Sequence, residues 1–214
     1  ELERRKKTKE LKLVNVLPSN IKCIYIRQNQ ALGLGHAVLC AKPAVGNNPF
    51  AVILADDMIL SKTNGCLKQM AEKYIELNSS IIAVEKVKKE YLHKYGIIQG
   101  SKINQSDWEL KNIVEKPEIE NAPSDMGVVG RYILNESIFD ILENTKKGAG
   151  EEIQLTDALA SQITKEKVYA YEFEGKRFDC GNKLGFLKAT IEYGLHHGEL
   201  SKDLKDYLKN LDLS

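Results

Sequence analysis

The sequence predicts an α/β fold, a mixed and mainly parallel sheet flanked by helices, and three observations predict it. Strand-like and helix-like segments alternate between residues 21 and 84, with 21–26, 50–55 and 81–84 as the strands; such alternation implies right-handed crossovers between parallel strands. Residues 50–55 read F-A-V-I-L-A, apolar on both faces, which suits a strand in the middle of a covered sheet. From Tyr95 onward the strands are short and separated by polar turns, which suits an antiparallel or mixed extension.

Taken in order, residues 1–13 predict a helix with a dense basic face of Arg4, Arg5, Lys6, Lys7, Lys9 and Lys12. Anion binding and a plain solvated surface both fit that face. Residues 21–26 are β-branched and aromatic enough for a strand. Residues 33–42 have helical length, and Pro43 ends that helix by disfavouring helical geometry at the residue before it. Leu67, Met70, Ala71, Tyr74 and Ile75 recur at the spacing of one amphipathic helix face. Residues 96–99 and 109–114 predict strands around a polar turn at 104–107, and 128–134 predicts another. Helices follow at 137–143, 153–163 and 183–195, with a strand at 168–173 before the last of these. A final helix, capped by Ser201, places Leu204, Tyr207, Leu208 and Leu211 on one face, to dock on the domain or on a partner subunit.

The bulk properties bound the function. A chain of 214 residues, 43% hydrophobic, buries a real core. Its 31 basic and 30 acidic residues leave a net charge of +1, so no overall field draws it to nucleic acid or to a membrane surface. No apolar run approaches the ~20 residues of a membrane helix, and the start is charged, so a cytoplasmic address is expected. Cys23, Cys40, Cys66 and Cys180 form no C-x-x-C pair and sit mostly in apolar segments; free buried thiols and no structural metal are expected.

Four places could carry chemistry. Asp56 and Asp57 follow the apolar strand 50–55, and open α/β sheets bind ligands beyond the carboxyl ends of their strands. Carboxylates there suit Mg²⁺, although a solvated acidic turn is the plain alternative. Gly33-Leu34-Gly35-His36-Ala37 opens a helix with a turn that a ligand could approach closely, or that serves only to reverse the chain. It is neither a dinucleotide fingerprint, since Val38 stands where a third glycine or alanine is needed, nor a Walker loop. Glu115-Lys116-Pro117 ends a strand with a carboxylate and an ammonium side by side; both can serve one ligand only where the strand bends, and a surface salt bridge is the alternative. Arg177-Phe178-Asp179-Cys180-Gly181 places an Asp at a helix entry, as a cap or as a second carboxylate for a shared cation.

Together with Arg27-Gln28, Leu32 to Ala37, Phe50 to Asp57, Tyr95-Gly96-Ile97, Gly130-Arg131-Tyr132-Ile133-Leu134, Glu152 to Asp157 and Lys176 to Leu187, these residues resemble the bacterial UTP-glucose-1-phosphate uridylyltransferases, of the wider sugar-nucleotide pyrophosphorylase family. The resemblance implies a Rossmann-like, nucleotide-diphospho-sugar transferase type of sheet and a cytoplasmic, Mg²⁺-dependent nucleotidyltransferase. It implies UTP, glucose 1-phosphate and UDP-glucose as ligands and a homo-oligomeric assembly. It assigns Gln28 and the backbone at Gly33 to the uracil and Asp56 to Mg²⁺ with Asp57 beside it. Gly96 and Glu115 fall to the glucose hydroxyls, Lys116 to the sugar phosphate, and Asp179 to support of the metal. Gly130 and Arg131 fall to the sugar side, with Gln154 and Thr156 near the sugar pocket.

Members of that family begin with a strand and a glycine-rich loop bearing an Arg and then a Lys, and nothing from Glu1 onward matches it. The expectation is an N-terminally truncated nucleotidyltransferase domain over residues 1–195, with the reaction assigned to the full-length protein and catalysis by this shorter chain impaired, followed by a C-terminal helix at 196–214 for docking or oligomer contact. Two rival readings accompany it. One is a non-catalytic module that binds UDP-sugar or assists assembly; the other is a phosphoacceptor using Asp56 and Asp57, which is disfavoured because such acidic pairs follow the first strand.

Overall fold

A computed structural model describes residues 3–14 and 21–212. Its strands are β1 (Phe50–Ile53), β2 (Asp57–Leu60), β3 (Ser80–Lys86), β4 (Gly96–Lys102), β5 (Asp107–Glu115), β6 (Met126–Leu134), β7 (Val168–Glu172) and β8 (Lys176–Asp179). The helices are α1 (Thr8–Val14), α2 (Leu34–Cys40), α3 (Lys42–Val45), α4 (Cys66–Leu77), α5 (Ser137–Asn144), α6 (Leu155–Ile163), α7 (Lys183–His196) and α8 (Ser201–Lys209).

Six strands form one sheet in the order β1-β6-β3-β7-β5-β4, and β2 pairs with β8 in a separate two-stranded ribbon. The sheet is mixed, as expected, but its parallel share is smaller than the sequence implies. Among the described strands only β3 and β7 run parallel, while β1–β6, β3–β6, β5–β7 and β4–β5 are antiparallel.

Two strand expectations account for the difference. Residues 21–26 form no strand and run as exposed chain, with Ile24 71% and Tyr25 94% accessible. Their side chains favour a pleated surface, but a strand exists only through a neighbour's ladder, and no described strand pairs with them. The run at 50–55 is an edge rather than a central strand. Its first four residues pair only with β6, from Phe50 opposite Leu134 to Ile53 opposite Arg131, and alternate between half-buried and exposed.

The core lies on both faces of the sheet because neighbouring strand residues point to opposite sides. Ile82 and Val84 of β3 join Ile98, Leu134, Phe139, Leu142 and Leu159 beneath α2, α5 and α6. Phe50 stacks on Phe139 with ring centroids 4.8 Å apart. Ile81 and Ala83 turn the other way, onto Cys66 and Met70 of α4 and onto Val129, Ile133, Tyr169 and Phe173.

Several boundaries correct the sequence reading. The basic helix begins at Thr8, after a turn at 3–6 in which Lys6 is left-handed, and residues 1 and 2 lie outside the described chain. The helix at 33–42 splits into α2 and α3, with Pro43 inside the first turn of α3, where its missing N–H is not needed. Ile75 falls off the buried stripe of α4 and is 81% accessible. Ser201 lies inside α8 rather than capping it, its Oγ donating to the Leu195 carbonyl at 2.7 Å. Leu204 reaches within 2.6 Å of where a Gly194 side chain would begin, so α8 docks on α7, but Tyr207 and Leu211 stay exposed.

All four cysteines are free. Cys66 is buried, and burial pushes its thiol pKa up to about 11; Cys23 is exposed, against expectation. No helix among the described residues is long and apolar enough to cross a membrane.

Candidate active site

A cavity of about 360 Å³ opens where the end of β5, the start of β4, the middle of β6 and the turn after β1 converge. Asp56, Asp57, Gly96, Glu115, Lys116, Gly130, Gln154 and Thr156, all singled out from the sequence, stand on its walls.

The end opposite the acidic turn is built by the β4–β5 pair, in which Gly96 lies opposite Glu115. β5 stops at Glu115, and Lys116 takes a left-handed φ of 45°, its N–H donating to the Tyr95 carbonyl at 3.0 Å. Such a conformation costs a side-chain-bearing residue on the order of 1–3 kcal/mol. The bend brings two consecutive side chains to the same side, so that Lys116 Nζ lies 3.2 Å from Glu115 Oε1. Glu115 Oε2 accepts from Thr156 Oγ1 at 2.8 Å, which orients the carboxylate across the cavity. Gly96 leaves the floor bare: a side-chain carbon there would lie 2.8 Å from Thr156 Cγ2 and 3.3 Å from Glu115 Oε2.

The acidic end is built by the β2–β8 ribbon, whose register sets Asp57 opposite Asp179; Asp179 itself stands outside the cavity wall and lines an adjoining hollow with Arg177 and Leu184. The Cys180 N–H donates to the Asp56 carbonyl at 2.7 Å and ties the two turns together. A side-chain carbon built on Gly181 would lie 3.0 Å from Asp179 Oδ1 and 3.3 Å from Asp56 Oδ2, so both oxygens come close to Gly181, whose N–H donates to Asp179 Oδ1 at 3.0 Å. Two hard carboxylates fit Mg²⁺, which takes its remaining positions from water and substrate phosphates. No cluster of three or more His, Cys, Asp or Glu suited to a metal occurs among the described residues.

Asp57 has partners that its assignment did not anticipate. One carboxylate oxygen accepts from Arg177 Nε and the other from the Gly130 N–H at 2.7 Å, so the side chain braces the wall. Gly130 must lack a side chain, since a Cβ would lie 2.6 Å from both Asp57 Oδ2 and Leu54 Cβ. Arg131 is not on the cavity wall. It points away from Gly130, as alternate strand residues do, and donates to the carbonyls of Leu54, Gly130 and Asp57, which fixes the turn carrying Asp56. Gln154 donates to Glu152 Oε2 at 3.0 Å, holding that carboxylate at the rim.

The Gly33 turn adjoins the cavity through Leu34 and Glu152 without lining it itself. Gly33 has a φ of 97°, and a side chain there would lie 2.7 Å from Glu152 Cβ. The Gly35 N–H donates to Ile153 O, and the Ile153 N–H donates to Leu32 O, so the turn is sewn to the segment before α6. Gln28 Nε2 donates to the Gly33 carbonyl at 3.1 Å and lies 2.9 Å from His36 Nδ1. This brings Gln28 and Gly33 together, with His36 as a support.

Arg177, Tyr95, Tyr132 and Glu85 are the residues to which the sequence reading gave no role. Tyr132 and Tyr95 line the cavity, and burial first, then the charges of Glu115 and Asp57, raise the Tyr132 pKa and keep its hydroxyl protonated. Arg177, Tyr95 and Tyr132 sit inside segments quoted for the resemblance and Glu85 outside them; no local spacing marks any of the four, because their partners come from distant strands.

The nucleotidyl transferase family model matches residues 2–194. A UTP–glucose-1-phosphate uridylyltransferase of Staphylococcus epidermidis is 45% identical over 212 residues, which span 99% of this chain and 73% of that relative. One from Haemophilus influenzae is 42% identical over 218 residues, spanning 98% and 74%. Among solved structures, a UDP-glucose pyrophosphorylase complexed with UDP-glucose matches with a TM-score of 0.85 at 43% identity, over 90% of this chain and 74% of that one. A UTP-bound UGPase from Acinetobacter baumannii matches with a TM-score of 0.89 at 40% identity, over 99% and 74%. On this family match, extending over nearly all of its residues, the chain belongs to the nucleotidyl transferases and, among them, to the UTP–glucose-1-phosphate uridylyltransferases.

Proposed function

We propose that this chain transfers the uridylyl group of UTP to glucose 1-phosphate, giving UDP-glucose and pyrophosphate. The observation that carries the reading is the convergence of Asp56, Gly96, Glu115 and Lys116 on one cavity in a chain 45% identical to a uridylyltransferase.

Each residue has a task that its chemistry suits. The bare Gly96 backbone lets the sugar ring approach, and Glu115, held by Thr156, accepts from glucose hydroxyls. Lys116 meets the sugar phosphate as a point charge. An oxygen of that phosphate attacks the α-phosphorus of UTP in line; a new phosphorus–oxygen bond forms, and the bond to the β-phosphate bridging oxygen breaks with release of pyrophosphate. The nucleophile is already anionic, so no general base is required, and alignment with charge neutralisation carries the rate. Asp56 and Asp179 are the residues to hold Mg²⁺, whose charge, when bound, offsets that of the reacting phosphates. Gln28 and the Gly33 backbone serve the uracil, with His36 orienting Gln28. Asp57, Gly130 and Arg131 keep the wall in shape between the two ends, and Gln154 sits beside the sugar pocket.

The same reading takes residues 1–195 as the nucleotidyltransferase domain and 196–214 as a docking element. It also takes the protein as a cytoplasmic homo-oligomer. Pyrophosphate release by the purified chain from UTP, glucose 1-phosphate and Mg²⁺ tests the activity. Release that requires all three components is expected, and no release above that of UTP alone would refute it.

A further inference from the structure

One guanidinium stands between the two ends of the cavity. Arg177, on β8, is 9% accessible and lines the cavity wall. Its Nε donates to Asp57 on β2, and its Nη1 donates to Glu85 Oε1 on β3 at 2.8 Å and to the Tyr95 hydroxyl at 3.3 Å. The guanidinium carbon also lies over the Tyr95 ring, 5.1 Å from its centroid. Three segments distant in sequence thus share one cation. Burial alone would draw its pKa down, but the Asp57 charge and the bonds to Tyr95, Asp57 and Glu85 hold it above the ordinary value, so it stays charged.

The two ends of the cavity hang on its partners. Asp57 immediately follows Asp56, and its other oxygen holds the Gly130 N–H. Tyr95 immediately precedes Gly96, and its carbonyl holds the N–H of Lys116, the residue in the left-handed bend. A displacement of the guanidinium therefore moves the turn bearing Asp56 and the bend bearing Glu115 and Lys116 at once. Stability alone is a weak reason for such an arrangement, because buried ion pairs are often no better than apolar packing of the same volume. A planar group with donors in fixed directions is well suited to register three acceptors, whereas the three donors of a lysine rotate about a flexible stem and fix no such geometry.

We propose that Arg177 is a positioning residue for the transfer reaction, coupling the carboxylate turn at Asp56 to the sugar-binding pair Glu115 and Lys116. The inference rests on the functional reading above. It assigns to Arg177 no contact with substrate.

The test is steady-state kinetics on the full chain, the variants Arg177→Lys and Tyr95→Phe, and the double variant, with UDP-glucose affinity measured by calorimetry alongside. For Arg177→Lys, kcat falls and KM for glucose 1-phosphate rises, each by about tenfold, while KM for UTP stays within about twofold. Tyr95→Phe, which removes a single hydroxyl and keeps the ring, shifts the same parameters in the same direction by a smaller factor. In the Arg177→Lys background it adds nothing, because the contact is already lost. A residue that only holds the fold would lower the active fraction, so a fall in kcat with both KM values unchanged overturns the proposal. So does full multiplication of the two single effects. A parent chain that neither turns over nor binds UDP-glucose overturns the functional reading and this inference with it, whereas a parent that binds and turns over isolates the question to Arg177.

Discussion

Arg177 and Asp57, 120 positions apart, meet as a buried ion pair between β8 and β2 at the wall of the cavity. Removing one member of such a pair leaves the other charge buried and short of a partner. Asp57→Ala is expected to cost about 3 kcal/mol of stability, since breaking a buried pair typically costs ~3–5 kcal/mol and Glu85 still faces Arg177. Urea unfolding checks this, and a loss below about 1 kcal/mol would show the pair to be exchangeable with solvent.

Gly96→Ala is expected to fill the cavity floor beside Glu115. The added methyl meets Thr156 Cγ2 at 2.8 Å and Glu115 Oε2 at 3.3 Å, so it displaces the carboxylate from its place across the cavity. KM for glucose 1-phosphate should rise by about tenfold with KM for UTP within about twofold, in initial-rate measurements with each substrate varied. Unchanged KM values would mean that glucose does not rest on Gly96.

Glu115→Gln removes a charged acceptor from the sugar hydroxyls and should raise KM for glucose 1-phosphate by about tenfold, more than that for UTP. Thr156→Val should act in the same direction and more weakly, because it removes only the donor that orients Glu115. Equal effects on both substrates would count against the sugar role of Glu115.

Outside the site, Lys73 of α4 reaches Asp107 at 2.8 Å. Burial alone would raise the Asp107 pKa, but the hydrogen bond from Lys73, with those from Asn104 and Ser106, more than offsets it and holds the carboxyl below its ordinary range. A carboxylate depressed on folding contributes stability above its unfolded pKa of about 3.9 and loses it as pH falls through the folded value. Asp107→Asn should therefore be less stable than the parent by about 1–3 kcal/mol at neutral pH, with the gap closing below about pH 4. Urea unfolding at pH 7 and pH 3 measures it, and a gap independent of pH would remove the ion pair from the account.

Local pattern made much of the fold legible. The 3.6-residue spacing located α4, and strand-like composition between polar turns located β3, β4, β5, β6 and β7 to within a few residues. It could not find β2 and β8, because each is four residues long and pairs only with the other, across more than a hundred positions. Nor could it tell that F-A-V-I lies at an edge, since burial depends on which strand lies alongside. In the site, the bend at Lys116 was legible from Pro117. The bracing roles of Asp57, Arg131 and Arg177 were not, because they are defined by acceptors on distant segments.

The most direct test of the central claim is the position of UDP-glucose in a crystal of this chain soaked with it. The account predicts glucose against Gly96 and Glu115, with the diphosphate between Lys116 and Asp56. Ordered ligand in the separate hollow beside Asn144 and Lys165, or a saturated crystal with this cavity free of ligand, would contradict it.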